Sequence, residues 1–148
     1  MKINPKSPVK YTSSVDIVAP IERVWAIMTE IEKWPAWNSD ISSAKLFGPL
    51  KQGSTFVWKA GPGTIRSTLG EVTPNKVIGW TGRTMGINAT HIWYLARNGE
   101  VTTVTTMESW EGPVAKVMKP LAQPTLEKAI LKGLLMLKNY AEQNNVVE

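Results

Sequence analysis

Residues 91–110, HIWYLARNGEVTTVTTMESW, contain two strand-like runs separated by Asn98 and Gly99. Both runs are rich in β-branched and aromatic residues, which favour strands. An Asn-Gly pair between two such runs is the strongest short-range signal for a β-hairpin. The segment therefore predicts two antiparallel strands, and it also holds the only histidine of the chain, His91.

A two-residue loop at Asn98 and Gly99 would determine which residues of this hairpin face each other. It predicts Trp93 opposite Val104 and His91 opposite Thr106, with Glu108 diagonal to His91 on the same face. That face carries His91, Trp93, Leu95, Thr102, Val104, Thr106, Glu108 and Trp110. The other face carries Ile92, Tyr94, Ala96, Val101, Thr103, Thr105 and Met107. Both faces have apolar members, and a three-residue loop would turn one strand over, so periodicity leaves the buried face open.

Further strand-like runs precede the hairpin. VKYTSSVDIVA at residues 9–19 alternates in polarity, and four β-rich runs follow from residue 44: AKLFG, STFVWKA, TIRSTLGEV and KVIGWTG. Gly, Pro and Asn pairs separate them, as in hairpin connections. No connection is long enough for a parallel crossover, so we expect seven antiparallel strands.

Helical periodicity appears at two places. Ile21, Val24, Trp25 and Met28 follow Pro20 and predict a short helix, with a second short helix near Pro35. After Pro120 and Pro124, a long helix is predicted from an apolar stripe of Leu126, Ile130, Leu134, Leu137 and Ala141. Its opposite side carries Glu127, Lys128, Lys132 and Lys138. The fold class is therefore α+β, with the long helix covering one face of the sheet. If the sheet curls around this helix, space remains between them.

Composition limits the classes of protein to consider. The chain has 148 residues, and we expect one domain over residues 1–148. It has no cysteine, which excludes a disulfide framework and a thiolate nucleophile. We expect no signal peptide and no membrane span, and therefore a cytoplasmic protein. The net charge is +5, but the lysines are scattered, which argues against a nucleic-acid partner.

The candidate chemistry depends on tryptophans and on His91. The chain has seven tryptophans, and Trp58, Trp80, Trp93 and Trp110 lie in strand-like runs. Such side chains form large apolar walls with one N–H donor each, or they simply fill a core. His91, with Glu108, could act as a base or acid on a carbonyl compound, or the pair could be a structural hydrogen bond. One histidine and no paired carboxylate spacing predict no metal site, and we expect no cofactor.

Several other residues have alternative interpretations. Gly133, beside the helical stripe, either leaves room for a ligand or allows close packing of the sheet. Met85, Ile87, Met118 and Leu121 are candidates for the rim of a cavity. Arg66 is expected to face solvent, and Arg83 to lie at the cavity mouth. Trp34, Pro35 and Trp37 are expected to close the end of the sheet against the short helices.

Four segments together resemble a known family. They are VDIVAPIERVWAIMTEIEKWPAWNSDI, the strand with Gly53, Phe56 and Trp58, GEVTPNKVIGWTG, and a Thr-rich strand ending in ESWEG. This pattern resembles the polyketide cyclase/dehydrase and lipid transport family of the START/Bet v 1-like (SRPBCC) superfamily. The resemblance implies a helix-grip fold, in which a curved seven-stranded sheet surrounds the C-terminal helix and a ligand cavity lies between them. It also favours the face with His91, Trp93 and Glu108 as the inner one.

The resemblance implies a small hydrophobic ligand, aromatic or lipid-like, bound by a monomer or homodimer, with cyclase or dehydratase chemistry on it as one option. The alternative is an interaction module resembling chaperone activators, since functions differ widely within one fold. Catalysis would use His91 and Glu108. The expected ligand-binding residues are Phe56, Trp58, Ile65, Ser67, Leu69, Ile78, Trp80, His91, Trp93, Val104, Thr106, Glu108, Trp110, Met118, Leu126, Ile130 and Leu134.

Overall fold

A computed structural model describes residues 1–144 of the chain. Its centre is one seven-stranded antiparallel sheet with the strand order β1-β7-β6-β5-β4-β3-β2. The strands are β1 (Val9–Ile17), β2 (Ile41–Phe47), β3 (Thr55–Ala60), β4 (Gly63–Thr73), β5 (Val77–Thr84), β6 (Ile87–Asn98) and β7 (Val101–Glu111). The seven predicted strands and their antiparallel connections are confirmed.

The helices lie before β2 and after β7. Helix α1 (Ile21–Thr29) begins after Pro20, and a 3-10 helix (Ile31–Ala36) follows it, so the second short helix is confirmed as 3-10. Helix α2 (Pro113–Val117) leads into the long helix α3 (Lys119–Asn144). Helix α3 thus begins before the predicted start after Pro124. Pro120 lies in its first turn, where a missing N–H costs least, whereas Pro124 lies inside the helix.

The β6–β7 hairpin differs from its predicted register. Gly99 and Glu100 form the loop, and Asn98 pairs with Val101. Gly99 has φ +66°, which suits the first loop position of a type II′ turn. The register is therefore shifted by two residues, and His91 lies opposite Glu108 while Trp93 lies opposite Thr106. Since a shift of two preserves the side-chain alternation, the predicted division into two faces is unchanged.

The hydrophobic core lies between α3 and the face of the sheet that carries His91, here called the concave face. Residues of the predicted stripe on α3 are buried: Leu126, Ile130, Leu134, Leu137 and Ala141. Leu131 and Leu135, on the other side of the helix, are exposed. Val104 and Thr106 of β7 are fully buried beneath the helix layer. The face bearing His91, Trp93 and Glu108 is therefore the inner one, as the resemblance implied.

An N-terminal arm, residues 1–8, crosses the opposite, outer face. Ser7 donates a hydrogen bond of 2.8 Å to Glu111 on β7, and the amino group of Met1 lies 2.7 Å from Glu71 on β4. The Met1 side chain occupies a slot over Gly79, where a Cβ would lie only 2.8 Å from its sulfur. On this face Ile92 is also fully buried.

Side chains of α3 bind the free backbone edge of β1. The Gln123 amide donates to the carbonyl oxygen of Lys10 and accepts from its N–H, at 2.9 and 3.3 Å. At the other end, Lys138 donates to the carbonyl oxygen of Asp16, and Glu142 accepts from the N–H of Val18. None of the helices within residues 1–144 is long and apolar enough to cross a membrane.

Candidate functional site on the concave face

The cross-strand register arranges the concave face in rows. One row runs across β4 to β7 as Leu69, Trp80, His91 and Glu108. The adjacent row is Phe56, Ser67, Gly82, Ala89 and Trp110. Its three central members are small, so the surface between Phe56 and Trp110 has little side-chain volume. The sheet thereby brings together most of the strand residues that the sequence predicted.

A cluster of aromatic rings covers the β3–β5 part of this face. The ring of Trp34 lies 5.6 Å from Phe56, 5.5 Å from Trp58 and 5.3 Å from Trp80. Trp34 comes from the 3-10 helix, and its Nε1 donates to the carbonyl oxygen of Met28 at 2.9 Å. It therefore belongs to the wall of the site as well as to the closure of the sheet end. The spacing of EKWPAWN does not predict this first role, because it does not show where the 3-10 helix lies.

A hydrogen-bonded group lies beside these rings. His91 Nε2 is 2.8 Å from the hydroxyl of Thr106, and its Nδ1 is 3.2 Å from Glu108 Oε1. Trp110 Nε1 donates to the other oxygen of Glu108 at 2.8 Å. The imidazole ring lies 5.0 Å from Trp80, and also contacts Trp93. Polar atoms are thus concentrated in one part of an otherwise apolar wall.

Burial lowers the pKa of His91 from its ordinary 6.5, and the nearby Glu108 carboxylate only partly opposes this effect. His91 is therefore neutral at pH 7. A carboxylate accepts but does not donate, so the tautomer with a proton on Nδ1 fits the contact with Glu108. The Thr106 hydroxyl then donates to Nε2. Both ring nitrogens are engaged, and no free lone pair points at the interior.

Two indole donors of the concave face differ in their partners. Trp58 Nε1 donates to Ser67 Oγ at 3.1 Å. Trp93 Nε1 is buried and has no hydrogen-bond partner among the described residues. An unpaired buried donor costs free energy, so it is a natural place for a ligand oxygen.

Gly133 marks open space on the helix side. It is buried on the stripe of α3, one turn from Ile130 and Leu137, yet a Cβ added there would meet no atom within 4 Å. Of the two interpretations of this glycine, close packing of the sheet is thus wrong, and room beside the helix is what the structure contains.

The predicted rim residues lie around the β5–β6 turn and α2. Met85, Met118 and Leu121 are exposed, and Ile87 is partly buried. The turn and α2 are adjacent, since a Cβ on Gly86 would lie 2.9 Å from Val114. Met118 consequently lies outside the buried interior, whereas Leu126, Ile130 and Leu134 of α3 lie inside it.

The predicted positions of the arginines are right in one case only. Arg66 is exposed on the outer face, as expected. Arg83 is not at the cavity mouth, because the alternation of β5 places it on the outer face opposite Arg66. Both line a groove of about 800 Å³ on that face, which the sequence pattern does not predict.

Solved structures share this fold at low sequence identity. A hypothetical protein, jhp0584, from Helicobacter pylori has a TM-score of 0.82 and 14% identity, with 94% of this chain and 91% of that chain covered. The Zhui aromatase/cyclase from Streptomyces sp. R1128 has a TM-score of 0.77 and 13% identity, with 90% and 93% covered. A START superfamily protein from Mycobacterium smegmatis has a TM-score of 0.71 and 18% identity, with 90% and 97% covered. At these identities the likeness establishes the fold alone.

Sequence comparison identifies the family. No curated protein matches the chain. The model of the family described as polyketide cyclase / dehydrase and lipid transport matches residues 8–142, nearly the whole chain. The aromatic concave face and its helix-grip neighbours agree with that match. The chain therefore belongs to the polyketide cyclase/dehydrase and lipid transport family.

Proposed function

We propose that the protein binds a small hydrophobic molecule between the concave face of the sheet and α3. The observation that carries this proposal is the open space beside buried Gly133, in the middle of the helical stripe that packs on the sheet. Glycine inside a helix costs about 1 kcal/mol relative to alanine. A ligand occupying this space would compensate for that cost.

The chemistry of the surrounding walls defines the class of ligand. Trp58, Trp80 and Trp93 provide apolar ring surfaces, and ligand pockets typically combine such walls with a few polar groups. The unpaired Nε1 of Trp93 supplies one buried donor. The ligand that fits is a flat or elongated apolar molecule with a carbonyl or hydroxyl oxygen.

A cyclase or dehydratase reaction on that molecule is the second candidate. It is favoured by His91 beside Glu108 and by the family match. For His91 to act as a base, however, Nε2 must be free to take a proton. Thr106 occupies Nε2 at 2.8 Å, so the hydroxyl would have to turn away first. Binding without chemistry requires no such rearrangement, and we place it first.

Native mass spectrometry of the purified protein, followed by extraction of any bound compound, tests the proposal. Tryptophan fluorescence then measures rebinding of the extracted compound or of a hydrophobic library. Gly133→Leu should fill the space beside α3 and abolish rebinding. Gly133→Ala, a small addition at the same position, should leave most of the binding. Catalysis would appear as conversion of the rebound compound, and should be lost in His91→Gln.

Two results would contradict ligand binding. One is the absence of both a bound compound and any quenching across the library. The other is unchanged binding by Gly133→Leu, which would place the ligand elsewhere. In the first case the interaction-module alternative becomes the leading one, and capture of a partner through the protein surface is the next experiment.

A further inference from the structure

Two arginines face each other on the outer face of the sheet. The register pairs Arg66 on β4 directly with Arg83 on β5, and both side chains are exposed. Like charges directly opposite in neighbouring strands destabilise a sheet. Neither guanidinium has a hydrogen bond or ion pair among the described residues. An arrangement that costs stability, with no ion-pair partner for either arginine among the described residues, favours an anion supplied from outside.

The rest of this ladder row is also basic near the arginines. Val57 pairs with Arg66 on one side and with Lys45 on the other, so three cations lie in one row across β2 to β5. The acidic member of the row, Glu111, lies two strands beyond Arg83 and accepts a hydrogen bond from Ser7. The positive charge is therefore concentrated on the β2–β5 half of the outer face.

A row of hydroxyls runs beside the basic row. Thr55, Thr68, Thr81 and Thr90 are successive neighbours across β3 to β6. None of these hydroxyls has a hydrogen-bond partner among the described residues. They line the same groove of about 800 Å³ as the two arginines, and Phe47, half exposed, lies at its end. The groove is thus lined by two guanidinium groups, by hydroxyl donors without partners and by one apolar ring, and Glu111 of β7 is the one carboxylate among its lining residues.

From this arrangement we infer that the outer groove binds a phosphate group carried by a small organic molecule. Guanidinium groups match phosphate oxygens with two parallel hydrogen bonds each, and a dianion between Arg66 and Arg83 would remove their mutual repulsion. Threonine hydroxyls of the next row can donate to the remaining oxygens. Phe47 and the volume of the groove leave room for an apolar part of the molecule. This site lies on the opposite side of the sheet from the hydrophobic cavity proposed above and does not depend on it.

The test is a titration followed by NMR of the isotope-labelled protein at constant ionic strength. Three probes distinguish the source of the phosphate: inorganic phosphate, phenyl phosphate, and phosphatidylcholine vesicles containing phosphatidic acid. We expect saturable shifts of the arginine side-chain N–H groups and of the β4 and β5 amides. Phenyl phosphate should bind more tightly than inorganic phosphate, because its ring can contact Phe47.

Charge-removing variants distinguish a specific phosphate site from binding through the general positive charge of the protein. Arg66→Gln and Arg83→Gln should each weaken binding at least about tenfold, since each removes a bidentate partner. Lys128→Gln on α3 removes the same charge away from the groove and should bind as the parent does. Both arginine variants should fold at least as stably as the parent, because each removes a like-charge pair.

Three results would overturn the inference: no saturable binding of any probe, equal weakening by Lys128→Gln, or shifts outside the groove. Binding by vesicles alone would also overturn it, since that would indicate a membrane surface in place of a small-molecule site. Tryptophan quenching by the hydrophobic ligand should be unchanged in Arg66→Gln, so the two proposals fail independently.

Discussion

The hydroxyl of Thr106 lies 2.8 Å from Nε2 of His91 and occupies the ring nitrogen that would otherwise be free to accept a proton. Thr106 is fully buried, so this hydrogen bond is shielded from water. The interaction holds the imidazole in place between Trp80 and Trp93.

Thr106→Val keeps the shape of the side chain but removes the hydroxyl. His91 Nε2 then has no partner in a buried site, and we expect a loss of about 1–3 kcal/mol in the free energy of unfolding. It should also raise the pKa of His91, because the lost bond favoured the neutral ring. Thr106→Ser keeps the hydroxyl and should lose only about 0.8 kcal/mol, for one buried methyl. Urea denaturation and NMR titration measure both quantities, and equal losses in the two variants would contradict this role of the hydroxyl.

The buried histidine predicts a pH dependence of stability. Its pKa is lowered in the folded protein, while the unfolded chain titrates near 6.5. Below that pH the unfolded state binds a proton that the folded state excludes. The contribution of neutral His91 to the free energy of unfolding is therefore complete above about pH 6.5. It is lost as the pH falls below that value, by at most about 1.4 kcal/mol per pH unit.

The control for this prediction is His91→Gln, which does not titrate. Hydrogen bonds lower the pKa values of Glu22 and Glu142 below 4.5, chiefly from the Glu22 backbone N–H and from Lys138, so those groups act at lower pH. Between pH 7.5 and 5, the parent should lose more stability than His91→Gln. Equal losses of stability in the two proteins between pH 7.5 and 5, measured by urea denaturation, would contradict the prediction.

Gly133→Ala should stabilise the protein by about 1 kcal/mol. The added methyl meets no atom within 4 Å, and alanine restricts the unfolded chain and favours the helix. Thermal and urea unfolding measure the effect. A loss of stability would mean that the space beside the helix is already filled.

Two leucines of α3 form a matched pair. Leu137 is fully buried on the stripe, and Leu135 is 55% exposed. Leu137→Ala should cost about 2–5 kcal/mol through lost burial and a cavity. Leu135→Ala should change stability by less than about 0.5 kcal/mol. Similar losses in both would show that α3 does not pack as described.

Strand number, element order and the α+β class followed from the sequence, because alternation and turn residues are local signals. The register of β6 and β7 did not, because Asn98 and Gly99 predicted a loop one residue earlier than the loop at Gly99 and Glu100. The two-residue shift preserved the faces, so the inner residues were still assigned correctly. It changed the partner of His91, however, from Thr106 to Glu108 across the ladder.

The features missed by sequence analysis depend on tertiary contacts. Trp34 reaches Trp80 only because the 3-10 helix folds over the sheet end. The outer groove depends on the pairing of Arg66 with Arg83, which are seventeen positions apart in the chain. No periodicity in a single strand reveals which residue of the next strand lies beside it.

The contacts of Gln123 and Lys138 with the backbone of β1, and of Glu142 with the N–H of Val18 just after it, limit how α3 can move. These side chains take the place of an eighth strand, because they satisfy N–H and C=O groups of β1 that would otherwise form an unpaired strand edge. Such an edge is prone to aggregation. If α3 swung outward to admit a ligand, the exposed edge of β1 would become a template for β-sheet pairing between two molecules. Entry of the proposed ligand past Met85 at the β5–β6 turn would avoid this hazard and would leave the helix in place as a fixed wall.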